Sequence, residues 1–262
     1  MIDRITEQPF CQTRVSGSTF VNADCFDVFP FIEDKSIDAI ICDLPYGTTA
    51  CKWDTIIPFD KLWEQYERII KDNGAVVLFG SEPFSSALRM SNIKNYKYDW
   101  VWEKENSTGF QLANVMPLKL HENILVFSKG FTYPKSNNKM IYIPQGLIPN
   151  NIKRNKRGSK GGYLTDSGCK MDEYVPKFSN YPNSLLRFKR DKEKLHPTQK
   201  PVALIEYLVK TYTNEGDTVL DNTMGSGTTN LACIKLNRKS IGIEKEKQYY
   251  DVAVRRALEY CH

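Results

Sequence analysis

Short apolar runs alternate with amphipathic stretches at both ends of this 262-residue chain, and the alternation stops in one long segment between them. This pattern limits the fold more than any other feature. Thr19–Ala23, Asp38–Cys42 (DAIIC) and Gly74–Phe79 (GAVVLF) are short and continuous, as buried strands require. Phe59–Ile70 instead places Phe59, Leu62, Trp63, Tyr66, Ile69 and Ile70 at helical intervals. Pro83–Met90 predicts a short helix, and Tyr98–Trp102 and Ile124–Phe127 two more strands. Downstream the pattern predicts helix Pro201–Tyr212, strand Thr218–Leu220, helix Thr228–Leu236, strand Ser240–Ile243 and helix Gln248–Leu258. Repeated βα units of this kind imply an α/β fold, a single open, mostly parallel sheet with helices on both faces. Its body is 1–130 with 196–262, interrupted by an insertion at 131–195.

Charge separates the insertion from the body. Residues 131–200 carry 15 Lys/Arg against 5 Asp/Glu, and the rest of the chain 21 against 26. The stretch NNIKRNKRGSKGG at 150–162 has too few apolar residues to fold by itself, so it reads as a loop. A solubilising surface would explain such a loop, but so would a polyanion. Lys153, Arg154, Lys156, Arg157, Lys160, Arg187, Lys189 and Arg190 are then the candidates for phosphate contact. Seven cysteines (11, 25, 42, 51, 169, 233, 261) form no Cys-x-x-Cys pair, which reads as reduced thiols without a metal site. No apolar run approaches the ~18–20 residues that span a bilayer, and the N-terminal residues lack a signal-peptide core. A soluble, cytoplasmic protein without a membrane partner is the expectation.

Ligands of such sheets bind beyond the carboxyl ends of the strands, and three polar clusters fall there. Asp43-Leu44-Pro45-Tyr46 follows the strand DAIIC directly. Pro45 fixes its own φ and pushes Leu44 toward extended backbone. An acid, free carbonyls and an aromatic ring thus stand together, suited to a planar base with an exocyclic amine. A plain strand-ending turn would look the same. The second cluster runs from Asp221 through Gly225 and Gly227 to Thr229 and opens a helix. It lacks the third glycine of the dinucleotide fingerprint and is no P-loop. Glu244 ends the following strand, where a carboxylate can accept both hydroxyls of a ribose. The unit suggests an adenosine-bearing cofactor. In the third cluster, HPTQKP at 196–201, Thr198 and Lys200 could bind a carboxylate at a helix N-terminus. Asp24, ending the first strand, could accept a bond from an adenine amine, although alone it reads better as an N-cap.

In this order the motifs resemble those of the amino-methylating DNA methyltransferases that use S-adenosylmethionine, in the circularly permuted beta-class arrangement. The resemblance extends from about Val21 to Ala257 and includes WVWEK and HENILVFSK. It implies a Rossmann-like sheet of the methyltransferase type, S-adenosylmethionine as cofactor, double-stranded DNA as substrate and 131–195 as a target-recognition region. It assigns Asp43, Leu44, Pro45 and Tyr46 to the target amine. Asp221, Gly225, Gly227 and Glu244 fall to the cofactor turn and ribose, Thr198 and Lys200 to the methionine carboxylate, and Asp24 to the adenine. Leu44 stands for the family's usual first Pro, and Asn222-Thr223 for its usual Pro-Phe. Asp at 43 resembles enzymes acting on adenine N6 more than those acting on cytosine N4. Hydrogen bonds donated by N6 to Asp43 and to the Leu44 or Pro45 carbonyl would draw the nitrogen toward tetrahedral geometry, after the base has flipped out of the duplex. The rivals are a cytosine-N4 enzyme, an RNA or protein-amide methylase, a silent DNA-binding protein and, least, a nicotinamide oxidoreductase. A homodimer and a restriction endonuclease partner stay open.

Overall fold

The computed structural model describes residues 4–5, 7–48, 54–150, 176–193, 195 and 198–261. By its contacts the chain forms two compact units, residues 1–143 with 184–262 and residues 144–183. The stretches 131–143 and 184–195, placed by sequence in the insertion, pack with the larger unit.

Its elements begin with β1 (Cys11–Val15), β2 (Ser18–Asn22), the short α1 (Cys25–Val28), β3 (Ile37–Cys42), α2 (Phe59–Ile69) and β4 (Ile70–Gly80). There follow α3 (Phe84–Ser91), β5 (Tyr96–Thr108) and β6 (Lys119–Phe127). The smaller unit carries β7 (Ile148–Pro149) and β8 (Phe178–Ser179), paired antiparallel. There Asn180 donates its side-chain amide to the Gly146 carbonyl at 2.7 Å. The larger unit resumes with β9 (Leu185–Arg187), α4 (Val202–Tyr212), β10 (Thr218–Asp221), α5 (Thr228–Lys235), β11 (Lys239–Glu244) and α6 (Lys247–Cys261).

Among the described residues the main sheet has nine strands, in the order β1-β2-β11-β10-β3-β4-β6-β5-β9. Strands β2, β11, β10, β3 and β4 run parallel, β6 opposes both β4 and β5, and β9 runs with β5. A mostly parallel sheet follows from strands apolar on both faces. All six residues of β3 are buried. Ile40 and Cys42 pack toward α2 and α3, and Ala39 and Ile41 toward α4 and α5. Each large aliphatic side chain buried this way stabilises the fold by roughly 1.5–3 kcal/mol.

The sheet order creates a crevice. From β3 the chain proceeds to β4 on one side, and from β10 to β11 on the other. Neighbouring strands whose connections diverge leave space above their carboxyl ends, because no crossover helix covers it.

Candidate active site

The expected clusters meet at that crevice. Asp43 follows β3, Asp221 ends β10, Glu244 ends β11 and Asp24 lies just past β2. Since these strands are parallel, their carboxyl ends share one edge. A cavity of about 1230 Å³ there is lined by Asp24, Asp43 to Tyr46, Thr198, Lys200, Asp221, Gly225 and Glu244, among others. Gly227 stands outside this lining. Thr223 donates its hydroxyl to the Asp43 backbone carbonyl at 3.1 Å, tying the two turns together across β10 and β3.

A chain of charges organises the surroundings of Asp43. One oxygen of Asp43 accepts from the Tyr46 hydroxyl at 2.6 Å, and the other is ion-paired with Lys200. Lys200 also meets Glu122 at 3.3 Å, and Glu122 meets Lys104 at 3.2 Å. Burial raises the Asp43 carboxyl above its ordinary value, and Lys200 opposes that rise. Burial alone would lower the Lys200 ammonium, but Asp43 and Glu122 hold it above its ordinary value. Two half-buried carboxylates and two buried ammoniums thus neutralise one another. One face of the Tyr46 ring stacks on Phe84, with centroids 4.8 Å apart. Leu44 is buried, and Asp54 accepts from the Gly47 and Thr48 amides at 2.9 Å, fixing the chain just beyond Tyr46.

The glycine turn is shaped for close approach. Gly225 and Gly227 have φ of +51° and +71°, a region that favours glycine. A Cβ on Gly227 would lie 2.7 Å from the Ala253 Cβ of α6. Gly227 therefore lets α6 pack against the turn. Glu244 is half-buried and accepts from the Gly225 amide at 2.9 Å and the Glu246 amide at 2.8 Å. Burial raises its carboxyl above the ordinary value. Asp221 is buried beneath the turn and accepts from the Thr223 amide at 3.2 Å. Burial pushes its carboxyl from 3.8 up to about 7.

The native state thus binds a proton that the unfolded chain has released between those two values. The stability this contributes is full below about pH 3.8 and lost as pH rises through about 7. Asp221→Asn should remove that slope. Urea unfolding at pH 5 and pH 8 should show wild type losing a few kcal/mol more than the variant. Parallel losses would show that Asp221 ionises normally.

Asp24 stands as the N-cap that its sequence position suggested, and several other residues stand differently from the expectation. Asp24 caps α1, accepting from the Phe26 amide at 3.0 Å, and pairs with Lys245 at 3.1 Å. The first amide of α4, Val202, donates to Asp191, so a carboxylate of the chain already occupies that helix start. Lys200 points to Asp43 instead, and Thr198 is exposed. Asn222 turns inward, its side-chain oxygen accepting from Tyr66 at 2.5 Å and contacting the Cys42 sulfur at 3.0 Å. Arg187 and Lys189 are exposed and paired with Glu103 at 2.9 Å and Glu105 at 3.7 Å, while Arg190 lines the cavity. Lys153, Arg154, Lys156, Arg157 and Lys160 lie outside the described residues, as does His196.

Sequence reasoning missed Glu122 and Lys104. Both extend strand faces that are otherwise apolar, Trp100-Trp102-Lys104 on β5 and Glu122-Ile124-Val126 on β6. A charge at the end of a buried face was the available signal.

Comparison with known proteins fits this geometry. The family profile described as DNA methylase, of the N6/N4 methyltransferases, matches residues 37–255. The Type II methyltransferase M.HpaI of Haemophilus parainfluenzae is 31% identical over 241 residues, covering 86% of this chain and 69% of its own. M1.MboII of Moraxella bovis is 28% identical over 258 residues, covering 88% and 92%. The crystal structure of an M1.HpyAVI–SAM complex superposes with a TM-score of 0.59 at 28% identity, covering 90% of this chain and 97% of that one. The cytosine-N4-specific PvuII methyltransferase shares the fold, with a TM-score of 0.64 at 16% identity over 92% and 86%. The glycine turn, the acid-and-tyrosine turn beside it and the profile spanning most of the sequence place this chain in the S-adenosylmethionine-dependent N6/N4 DNA methylase family.

Proposed function

We propose that the protein methylates the exocyclic N6 amine of an adenine flipped out of double-stranded DNA, as the modification enzyme of a Type II system. The carrying observation is the Thr223–Asp43 bridge, which holds the acceptor-side turn against the donor-side turn at one cavity. The Type II setting is taken from the names of the relatives.

The donor set fits an adenosine-bearing sulfonium. Gly225, Glu244 and Asp24 line one cavity, in which Glu244 would take the ribose hydroxyls and Asp24 the adenine amine. When bound, S-adenosylmethionine supplies an electrophilic methyl group. The rest falls to the chain. Each Asp43 oxygen has one hydrogen bond and keeps a lone pair for an N6 hydrogen. The backbone carbonyl of Leu44 or Pro45 accepts the second. Tyr46 and Lys200 position the Asp43 carboxylate, since each grips a different oxygen. Adenine N6 is a weak nucleophile because its lone pair is shared with the ring, so alignment does most of the catalysis. Such positioning can supply roughly 7–11 kcal/mol. The proton leaves after transfer, when the product nitrogen is cationic. Asp rather than Ser at 43 favours adenine over cytosine in this family. Arg187, Lys189 and Arg190, with Lys153, Arg154, Lys156, Arg157 and Lys160 of the insertion, would hold phosphates.

Single-molecule sequencing of DNA from cells expressing the protein tests this reading. N6-methyladenine within one short sequence motif is expected. N4-methylcytosine would overturn the choice of base, and unmodified DNA would overturn the activity.

A further inference from the structure

A second feature of the cavity rim has no part in gripping the amine. Strands β5 and β6 are joined by a ten-residue tip, GFQLANVMPL at 109–118, that carries no charged side chain. Its root lies at the cavity, since Thr108 and Lys119, paired across the hairpin, both line it. Phe110 is 80% exposed, Val115 79% and Met116 56%. Isolated exposed apolar residues are ordinary, but several on one short tip mark a contact surface. The tip is also internally ordered. The Leu112, Ala113, Val115 and Met116 amides each donate to a carbonyl three or four residues earlier, at 2.9–3.1 Å.

The surroundings indicate what the tip meets. The partner strand β9 puts Arg187 beside Glu103 on β5, and the exposed Lys189 and Arg190 follow it. An uncharged, preformed apolar tip rooted at Lys119, with Arg187 and Lys189 paired to β5 glutamates further down the hairpin and Arg190 lining the cavity, suits a polyanion with an apolar interior, which is a stacked duplex. A base that reaches Asp43 leaves a gap in its stack. Apolar side chains inserted between base steps are a known means of filling such gaps.

We infer that the 109–118 tip is a wedge. Phe110 and Val115 enter the duplex where the target base leaves, and hold the gap open while the base occupies the cavity. This rests on the proposed reading that the substrate amine belongs to a flipped base in duplex DNA. A second copy of this chain, seated on the same apolar tip, is the competing occupant.

The test compares two substrates carrying the motif found by sequencing. One is a fully paired duplex, and in the other the target base lies opposite an abasic site, so extrusion costs less. For the double variant Phe110→Ala/Val115→Ala, kcat/KM is expected to fall at least tenfold on the paired duplex. On the abasic duplex it should stay within about twofold of wild type. Both side chains are solvent-exposed, so the melting temperature should not change. Equal losses on both substrates, or no loss on either, would overturn the wedge. So would a change in sedimentation from dimer to monomer, which would make the tip a self-association surface. If wild type itself methylated neither substrate, the underlying reading would fail instead, and the two failures are distinguishable.

Discussion

Asp43→Ala is expected to lower methyl transfer by about three orders of magnitude or more, while cofactor affinity by calorimetry changes by no more than a few fold. In the proposed reading the carboxylate receives the amine, and the Thr223 bond that ties the glycine turn to this turn goes to the Asp43 backbone carbonyl, which alanine keeps. Substitution removes the acceptor that aligns the nitrogen and leaves the cofactor side intact. Asp43→Asn is the companion variant. Its amide oxygen can still accept from Tyr46, so the turn keeps its shape while the charge is lost. Transfer within tenfold of wild type in both variants would remove Asp43 from the chemistry.

Lys200→Met should have the largest effect on stability. It leaves the half-buried Asp43 and Glu122 with Lys104 as the nearby ammonium in the charge chain. Breaking a fully buried pair from one side costs about 3–5 kcal/mol, and the half-buried carboxylates here place the loss toward the lower end of that range. Lys200 also opposes the burial that raises the Asp43 carboxyl. Without it the acid limb of the activity profile should move to higher pH. Lys200→Arg retains the charge and should recover most of the stability. Thermal unfolding and a pH–rate profile of the three proteins check both effects. An unchanged melting temperature and profile in Lys200→Met would show that this pair is not a working unit.

The sheet was legible in the sequence wherever a strand was buried on both faces. Strands β3, β10 and β11 stand within a residue or two of their expected positions, as a continuous apolar run requires. Strand β1 was not seen, because CQTRV has one buried residue and owes its form to pairing with β2. Its signal was the Ser16-Gly17 turn, whose φ values of 44° and 81° close the hairpin. Strand β5 outran its expected end because the polar residues beyond Trp102 continue the ladder into the hairpin. Motif order brought Asp43 and the glycine turn together. It could not show the direction of Lys200, because spacing along a chain does not reveal which distant carboxylate a long side chain will find.

The Thr223–Asp43 bridge joins residues 180 positions apart. Its rigidity comes from β3 and β10 lying side by side, with Ala39 opposite Val219 and Ile40 opposite Leu220. The 144–183 excursion leaves and re-enters the larger unit at points tied to the scaffold, where Ile143 bonds to Thr211 and Ser184 to Val101, both at 2.8 Å. Doubling the length of such a detour costs only about 0.6 kcal/mol in closure entropy. This architecture therefore lets the excursion drift in size and sequence over evolutionary time while the distance between methyl donor and acceptor stays constant.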